Sequence, residues 1–324
     1  MTQQQEESKS AAKHNNKKNN KLSYIINEED AGLSIKMLLK HRLRLSSRLL
    51  RKLKNENSVF LNDRPVKMFE KGRTGDRITF DMPNETSGFT PEEIPIDVLF
   101  EDDDLLIINK QPGYVVHPTK GHSNNTIANG IMNYMLQKGE SYKIRFINRL
   151  DMDTSGVLLI GKNSHSQDDF AKQADEGRVV KKYLAVLEGI ITDDEGIIDL
   201  PIGKPEDDRV KRAVISDGYP SITRYRVIER FGSKYTLTEL TLETGRTHQI
   251  RVHMAHLGCP VLGDVLYGNE AAGLIGRQAL HAVQLDFDHP VTKERLSIKA
   301  PLPDDMKDMI NILCTNSSVI SYYK

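Results

Sequence analysis

The residues with the clearest capacity for chemistry lie between Ile147 and Gly156, in the run Ile-Asn-Arg-Leu-Asp-Met-Asp-Thr-Ser-Gly. Arg149 and Asp151 stand two apart, and Asp153, Thr154, Ser155 and Gly156 crowd a turn before Val157-Leu158-Leu159-Ile160. A short apolar run after a glycine reads as a buried strand. Asp, Thr and Ser hydrogen-bond their own backbone, so such a turn needs no function to explain it. An ionised carboxylate at this place can nevertheless attack an electrophile or remove a proton. Other candidates are weaker. His253 and His256 lie one helical turn apart and could ligate metal, but no third or fourth ligand is apparent, and a packed or solvent-facing pair explains them. Asp103-Asp104 reads as turn and surface, and Gly263 to Gly268 is not a phosphate-binding glycine loop.

The elements that must position this stretch follow from periodicity. Leu105-Leu106-Ile107-Ile108 and 157–160 read as buried strands. Alternation predicts further strands over 181–187, 221–227, 235–242 and 280–287. Helices are expected over 126–136, over 166–174 closed by Gly177, and over 248–256 with Thr247 as cap. Long alternating strands with few helices predict an α+β domain around a mixed, mostly antiparallel sheet over 97–305. A C-terminal tail or helix is expected over 306–324.

Ahead of it, residues 23–82 form a small α/β unit. A helix with Leu33, Met37, Leu38 and Leu45 as apolar contacts precedes a second one, capped by Ser46-Ser47, with Leu49, Leu50 and Leu53 on one face. Strands are expected at 59–61, at Val66 and from Gly75 to Ile78. Residues 1–22 are Gln, Asn, Lys, Ser and Glu with almost no apolar residue, a composition expected to stay disordered. Residues 83–96 are acidic and carry Pro83, Gly88, Pro91 and Pro95, which reads as a linker.

Lysine plus arginine and aspartate plus glutamate both number 45 in the 324 residues, so net charge points to no partner. The distribution does. Eight Lys or Arg and no acid lie between Lys36 and Lys54, and nine Asp or Glu and no base between Ile78 and Asn109. Neutrality is a cancellation, and the basic segment can meet phosphate. Two cysteines give neither a disulfide framework nor a four-cysteine zinc site. No apolar run approaches a membrane span and no signal peptide is evident. A soluble, cytoplasmic monomer is expected.

Taken together, Arg-Leu-Asp-x-x-Thr-Ser-Gly at 149–156, Lys110-Gln111-Pro112-Gly113 with Val116-His117-Pro118, Lys181-Lys182-Tyr183 and 244–251 resemble the RluA-type pseudouridine synthases. The resemblance runs from about Phe100 to Pro303. It implies an isomerase that breaks the ribose bond to nitrogen 1 of uracil and rejoins ribose to carbon 5, without metal, nucleotide or other cofactor. Asp151 matches the family's catalytic aspartate, whose route, covalent attack or removal of a ribose proton, stays open. Arg149 matches the arginine that fills the space of a flipped base, and Tyr183 the tyrosine that stacks on the target uracil. Arg246 matches the base that pairs with the catalytic carboxylate.

Where the family usually has histidine before the Arg-Leu-Asp, this chain has Asn148, which cannot titrate near neutral pH. Residues 23–82 resemble the small RNA-binding domain shared with a small-subunit ribosomal protein (the S-four type). That likeness implies RNA contacts at Ser47, Arg48, Arg51, Lys52 and Lys54, with Asn55-Glu56-Asn57 in place of the usual glycine-containing turn. Large-subunit ribosomal RNA is the expected substrate and transfer RNA the alternative. A non-catalytic RNA-binding assembly factor and a metal-dependent hydrolase built on His253 and His256 are the readings from other classes.

Overall fold

Two serines start the helices of the N-terminal unit. In the computed structural model, which describes residues 21–82, 85–119, 121–206, 208 and 210–314, Ser34 Oγ accepts from Met37 N (3.3 Å) and Ser46 Oγ from Leu49 N (3.3 Å). These caps satisfy amides that have no partner inside a helix. They open α1 (Ile35–His41) and α2 (Ser47–Glu56). α2 ends at Asn57, which takes the left-handed conformation (φ 50°) and donates to Leu53 O and Lys54 O. Asn is one of the few residues that tolerates that turn without a glycine.

The helices belong to a unit of residues 1–86 with 135–143. Its strands β1 (Lys21–Ile25), β2 (Val59–Leu61), β3 (Arg64–Pro65) and β4 (Arg77–Asp81) form an antiparallel sheet in the order β1-β4-β2-β3. Leu38, Leu39, Leu49, Leu50 and Leu53 are buried with Ile78 and Phe80. Met37, expected inside, is 45 % exposed, and Leu39 takes the inner position. β1 also starts two residues before the expected boundary at Ser23, because Leu22 and Tyr24 pair with Phe80 and Ile78 and pack on this core. The rest of the expected disordered tail lies outside the described residues, as do residues 315–324 of the expected C-terminal segment.

The second unit comprises 87–134 and 144–324. Its elements, in chain order, are β5 (Val98–Glu101), β6 (Leu105–Lys110), α3 (Ile127–Lys138), β7 (Arg145–Phe146), β8 (Ser155–Gly161), α4 (Ser164–Asp175) and β9 (Val180–Glu188). Then follow β10 (Glu195–Asp199), β11 (Ile202–Gly203), β12 (Ala213–Val214), β13 (Ile222–Phe231), β14 (Tyr235–Leu242), α5 (Gln249–His256), β15 (Leu280–Asp288), β16 (Arg295–Lys299) and α6 (Asp304–Leu313). The main sheet runs β10-β13-β14-β9-β15-β8-β6-β5, with β16 on β15 and β7 on β8. Its one parallel pair among the described strands is β8 with β15. The expected α+β class with a mixed, mostly antiparallel sheet is what the chain forms.

Residues 87–95 behave differently from a linker. They hold no helix or strand, yet Thr90 O accepts from Asn129 Nδ2 (2.8 Å), Glu92 N donates to Asn129 O (3.1 Å) and Ile94 is buried against Gly130. Proline and acidic composition describe a segment without regular structure; the apolar Ile94 and a waiting asparagine turn it into a strap on the second unit.

β8 and β15 meet where the chemistry-bearing stretch ends. Gly156 has φ 110° and pairs with Ala282, and a Cβ on it would lie 2.2 Å from Ala282 O. Only glycine fits there, because both the backbone angle and the contact exclude a side chain. Gly156→Ala is therefore expected to cost roughly 2–6 kcal/mol, from overpacking plus backbone strain, measured as a drop in urea-unfolding stability. A loss under about 1 kcal/mol would show that the strand contact yields freely.

Candidate active site

Asp151 sits in the connection from β7 to β8, and buried polar groups hold that connection from several sides. Asn148 Nδ2 donates to Val157 O (3.1 Å) and its Oδ1 accepts from Leu159 N (2.7 Å), so the side chain extends the ladder of β8. Both amide groups face backbone, and the position is architectural. Lys110, fully buried at the end of β6, donates to Met152 O (2.7 Å), Thr154 O (2.9 Å) and Gln111 O (3.0 Å). Burial pulls its pKa down to about 7, and the three carbonyl oxygens match the three donors of an ammonium. Arg277 Nη1 donates to Asp153 O (2.9 Å), while Nε and Nη2 grip Asp305 of α6 (2.7 and 2.9 Å). Ser155 Oγ meets His281 Nδ1 at 2.9 Å, and burial lowers the His281 pKa to about 4, so the ring is neutral and accepts there.

The carboxylate itself is paired with Arg251. Arg251 Nη1 lies 3.1 Å from Asp151 Oδ2, and Nε and Nη2 form a two-pronged pair with Asp264 at 2.6 and 2.8 Å. Asp264 is buried and also accepts from Leu266 N (3.0 Å) and Tyr267 N (3.2 Å). The guanidinium lies over the Tyr267 ring, 5.1 Å from its centroid. Burial alone would lower the Arg251 pKa, but the bonds and charge of Asp264 and Asp151 outweigh it and raise it.

Arg246, expected to pair with the carboxylate, is placed otherwise. Its Nε donates to Pro220 O (3.3 Å) and its guanidinium lies 5.5 Å from the Tyr219 ring centroid. The reason is the loop that carries it. Gln249 Oε1 accepts from Arg246 N (2.9 Å) and Thr244 Oγ1 (2.8 Å), and this turn swings Arg246 outward. Helix α5 points Arg251 inward from its first turn. The expected cap at Thr247 is absent as well. His248 precedes α5 in the left-handed conformation (φ 58°) without a side-chain cap bond, and its Nδ1 meets the Tyr267 hydroxyl at 2.8 Å. Its Nε2 is 3.9 Å from Asp151 Oδ2.

A cavity of about 590 Å³ opens over Asp151 and is lined by Arg149, Tyr183, Lys181, Leu242 and Arg246. That is a volume suited to a small ligand or one nucleotide. Arg149 is exposed, and Tyr183 is buried on β9; burial and the Asp151 charge both raise its phenol pKa. The metal reading of His253 and His256 does not fit. His253 is buried, with Nδ1 2.9 Å from Thr223 Oγ1 and Nε2 3.0 Å from Leu200 O, so both ring nitrogens are engaged. Asp104, read as surface, is buried and accepts from Asn163 Nδ2 (2.7 Å).

The N-terminal unit carries a separate basic cleft of about 640 Å³. Of the residues expected to meet RNA, Ser47, Arg51 and Lys54 line it. Arg48 is exposed elsewhere on α2, and Lys52 Nζ lies 4.0 Å from Glu85. Lys36, Lys40 and Lys67 join the cleft from α1 and from the segment after β3, beside Phe69, which is 78 % exposed. The i, i+4 spacing of Lys36 and Lys40 in the base-rich stretch was the available signal. Arg42 of the same stretch instead pairs with buried Asp30.

This arrangement has relatives. Residues 104–256 match the family described as RNA pseudouridylate synthase. The chain is 41 % identical over 265 residues to the "Uncharacterized RNA pseudouridine synthase YlyB" of Bacillus subtilis (strain 168), spanning 81 % of this chain and 87 % of that one. Against the ribosomal large subunit pseudouridine synthase D of Neisseria meningitidis serogroup A it is 37 % identical over 272 residues, spanning 80 % and 72 %. A solved structure, human RNA pseudouridylate synthase domain containing 1, matches with a TM-score of 0.53 at 28 % identity over 64 % of this chain and 84 % of that one. The chain belongs to the RNA pseudouridylate synthases and is an RNA-modifying isomerase.

Lys110→Met keeps the bulk of the buried stem and removes all three donors. Each carbonyl left bare costs about 1–3 kcal/mol, so thermal stability should fall and the Asp151 loop should loosen. The expected kinetic signature is a lower single-turnover rate at saturating RNA with RNA affinity unchanged. A wild-type rate would show that the loop holds its shape without Lys110.

Proposed function

We propose that the enzyme converts uridine to pseudouridine in large-subunit ribosomal RNA, using Asp151 on a base turned out of its stack. The observation that carries this reading is the setting of Asp151. It is a half-buried carboxylate at the floor of a nucleotide-sized cavity, fixed by Arg251 and walled by Tyr183. An extruded uracil stacks against Tyr183, a contact worth roughly 1–3 kcal/mol. Arg149, exposed at the cavity mouth, enters the space that the base leaves. Asp151 then acts on the ribose, by attack on the sugar or by removing a ribose proton. The bond from ribose C1′ to uracil nitrogen 1 breaks, the base turns within the cavity and C1′ bonds to carbon 5, whose hydrogen leaves to solvent while nitrogen 1 takes up a proton. The apolar wall of Leu242 and Tyr183 retains the detached base.

Ribosomal RNA is favoured because the Neisseria relative is a ribosomal large subunit enzyme and the alignment spans 72 % of its length. The basic cleft of the N-terminal unit supplies phosphate contacts that hold structured RNA. Release of tritium from carbon 5 of uridine in a large-subunit ribosomal RNA transcript tests the assignment. The wild-type enzyme should release it, and Asp151→Asn should bind the RNA equally well and release none above background. Release by Asp151→Asn near the wild-type rate would remove Asp151 from the chemistry, and release from transfer RNA alone would move the substrate.

A further inference from the structure

We propose that Lys181 and Arg246 together form a phosphate site for the nucleotide whose base stacks against Tyr183. The inference rests on the nucleotide-flipping reading above and adds the element that sets the register of the sugar over Asp151.

Strand alternation places the first residue. Lys181 and Tyr183 of β9 are two apart, so they share a face at about 7 Å spacing. Both line the cavity over Asp151. Lys182 faces the other way, where its Nζ lies 3.3 Å from Glu239 Oε1. Lys181 pairs across the sheet with Leu242 on β14 and Leu285 on β15, and these apolar neighbours cover its stem. Its ammonium reaches the turn that carries Arg246, since a Cβ on Gly245 would be 3.8 Å from Lys181 Nζ.

The charges around this point do not balance. Among the described residues Asp151 is the single carboxylate lining the cavity, and Arg251 already holds it. Neither Lys181 nor Arg246 has an ion pair among the described residues; Arg246 has only Pro220 O and the Tyr219 face. Two like charges thus share a partly covered wall, which costs free energy unless an anion lies between them. Burial and the Arg246 charge both push the Lys181 pKa down, the direction expected for a cation that lacks a partner. The anion that every RNA nucleotide brings is its phosphate. A guanidinium and an ammonium at the cavity rim, one strand step from the stacking tyrosine, are donors of the right kind for it. Arg246, freed from the carboxylate by Arg251, thereby has a role that its outward position suits.

The salt dependence of RNA affinity tests this. The probe is a fluorescein-labelled oligouridine of about 12 nucleotides, and the proteins are full-length wild type, Lys181→Met, Lys181→Arg, Arg246→Met and the double Met variant. Lys182→Met, on the opposite face, is the control. Loss of this one phosphate contact should flatten the log–log slope of affinity against salt by about 0.7 in the double Met variant, and each single Met variant should give part of that. Lys181→Arg should restore the wild-type slope, and Lys182→Met should keep it. Circular dichroism establishes that the compared proteins are folded.

Unchanged slopes in both single Met variants would overturn the site. So would a lower saturated single-turnover rate for Lys181→Met at an unchanged slope, since Lys181 would then act in the chemistry. Tritium release from ribosomal RNA by the wild type, measured alongside, separates this from the proposed reaction. Flattened slopes without any wild-type release would leave the phosphate site standing and sink only the reaction.

Discussion

The candidate active site hangs on one buried ion pair. Asp264, inaccessible to solvent and bonded by two backbone amides, grips Arg251 at two points, and the remaining arm of the guanidinium reaches Asp151. Burying a charge without a partner costs several kcal/mol, so neither Asp264 nor Arg251 can leave the other cheaply. That mutual dependence fixes where the third arm points, and so fixes where the Asp151 carboxylate sits. Tyr267 adds a ring face beneath the guanidinium and bonds to Arg212 N (2.8 Å) and to His248. Alone among the three charges, Asp151 is partly open to solvent, and it is the one that lines the cavity.

Around this pair the protein brings donors to a loop whose own carbonyls point inward. Lys110 and Arg277 come from β6 and from the segment before β15, and each holds carbonyls between Met152 and Thr154. Gly156 lets β8 run against β15 without a side chain between them. The apolar strands β6 and β8 give these contacts a rigid floor, because their inner residues are almost wholly buried. In the proposed reaction, a carboxylate held through backbone in this way loses little freedom on binding RNA, which is how positioning lowers a barrier.

Much of this was legible in the residues. Leu105 to Ile108 and Val157 to Ile160 announced two buried strands, and the alternation at 235–242 marked β14 to the residue. Part of the string from Arg149 to Gly156 lines the cavity. What one dimension concealed was which arginine of 244–251 turns inward. Arg246 and Arg251 are five residues apart, and only the bonds of Gln249 to Thr244 Oγ1 and Arg246 N decide between them. Asp264 stands in a glycine-bounded loop with nothing to mark its partner, and Arg277 carries no pattern at all. Long-range polar contacts leave no periodicity, so buried lysines and arginines read as surface until the fold is known. Asn148 shows the converse. It departs from the family's usual histidine, and the structure gives it a backbone-bracing task that needs no titrating group.

Asp264→Asn measures the central dependence most directly, since it keeps the shape and removes the charge that holds Arg251. In the folded variant the single-turnover rate on ribosomal RNA should fall about 10²-fold or more, as expected when a reacting group shifts by about 1 Å. Affinity for oligouridine should stay as in the wild type, and stability should drop by about 3–5 kcal/mol. A folded Asp264→Asn enzyme that works at the wild-type rate would contradict the account, because Asp151 would then keep its place without the pair that is said to fix it.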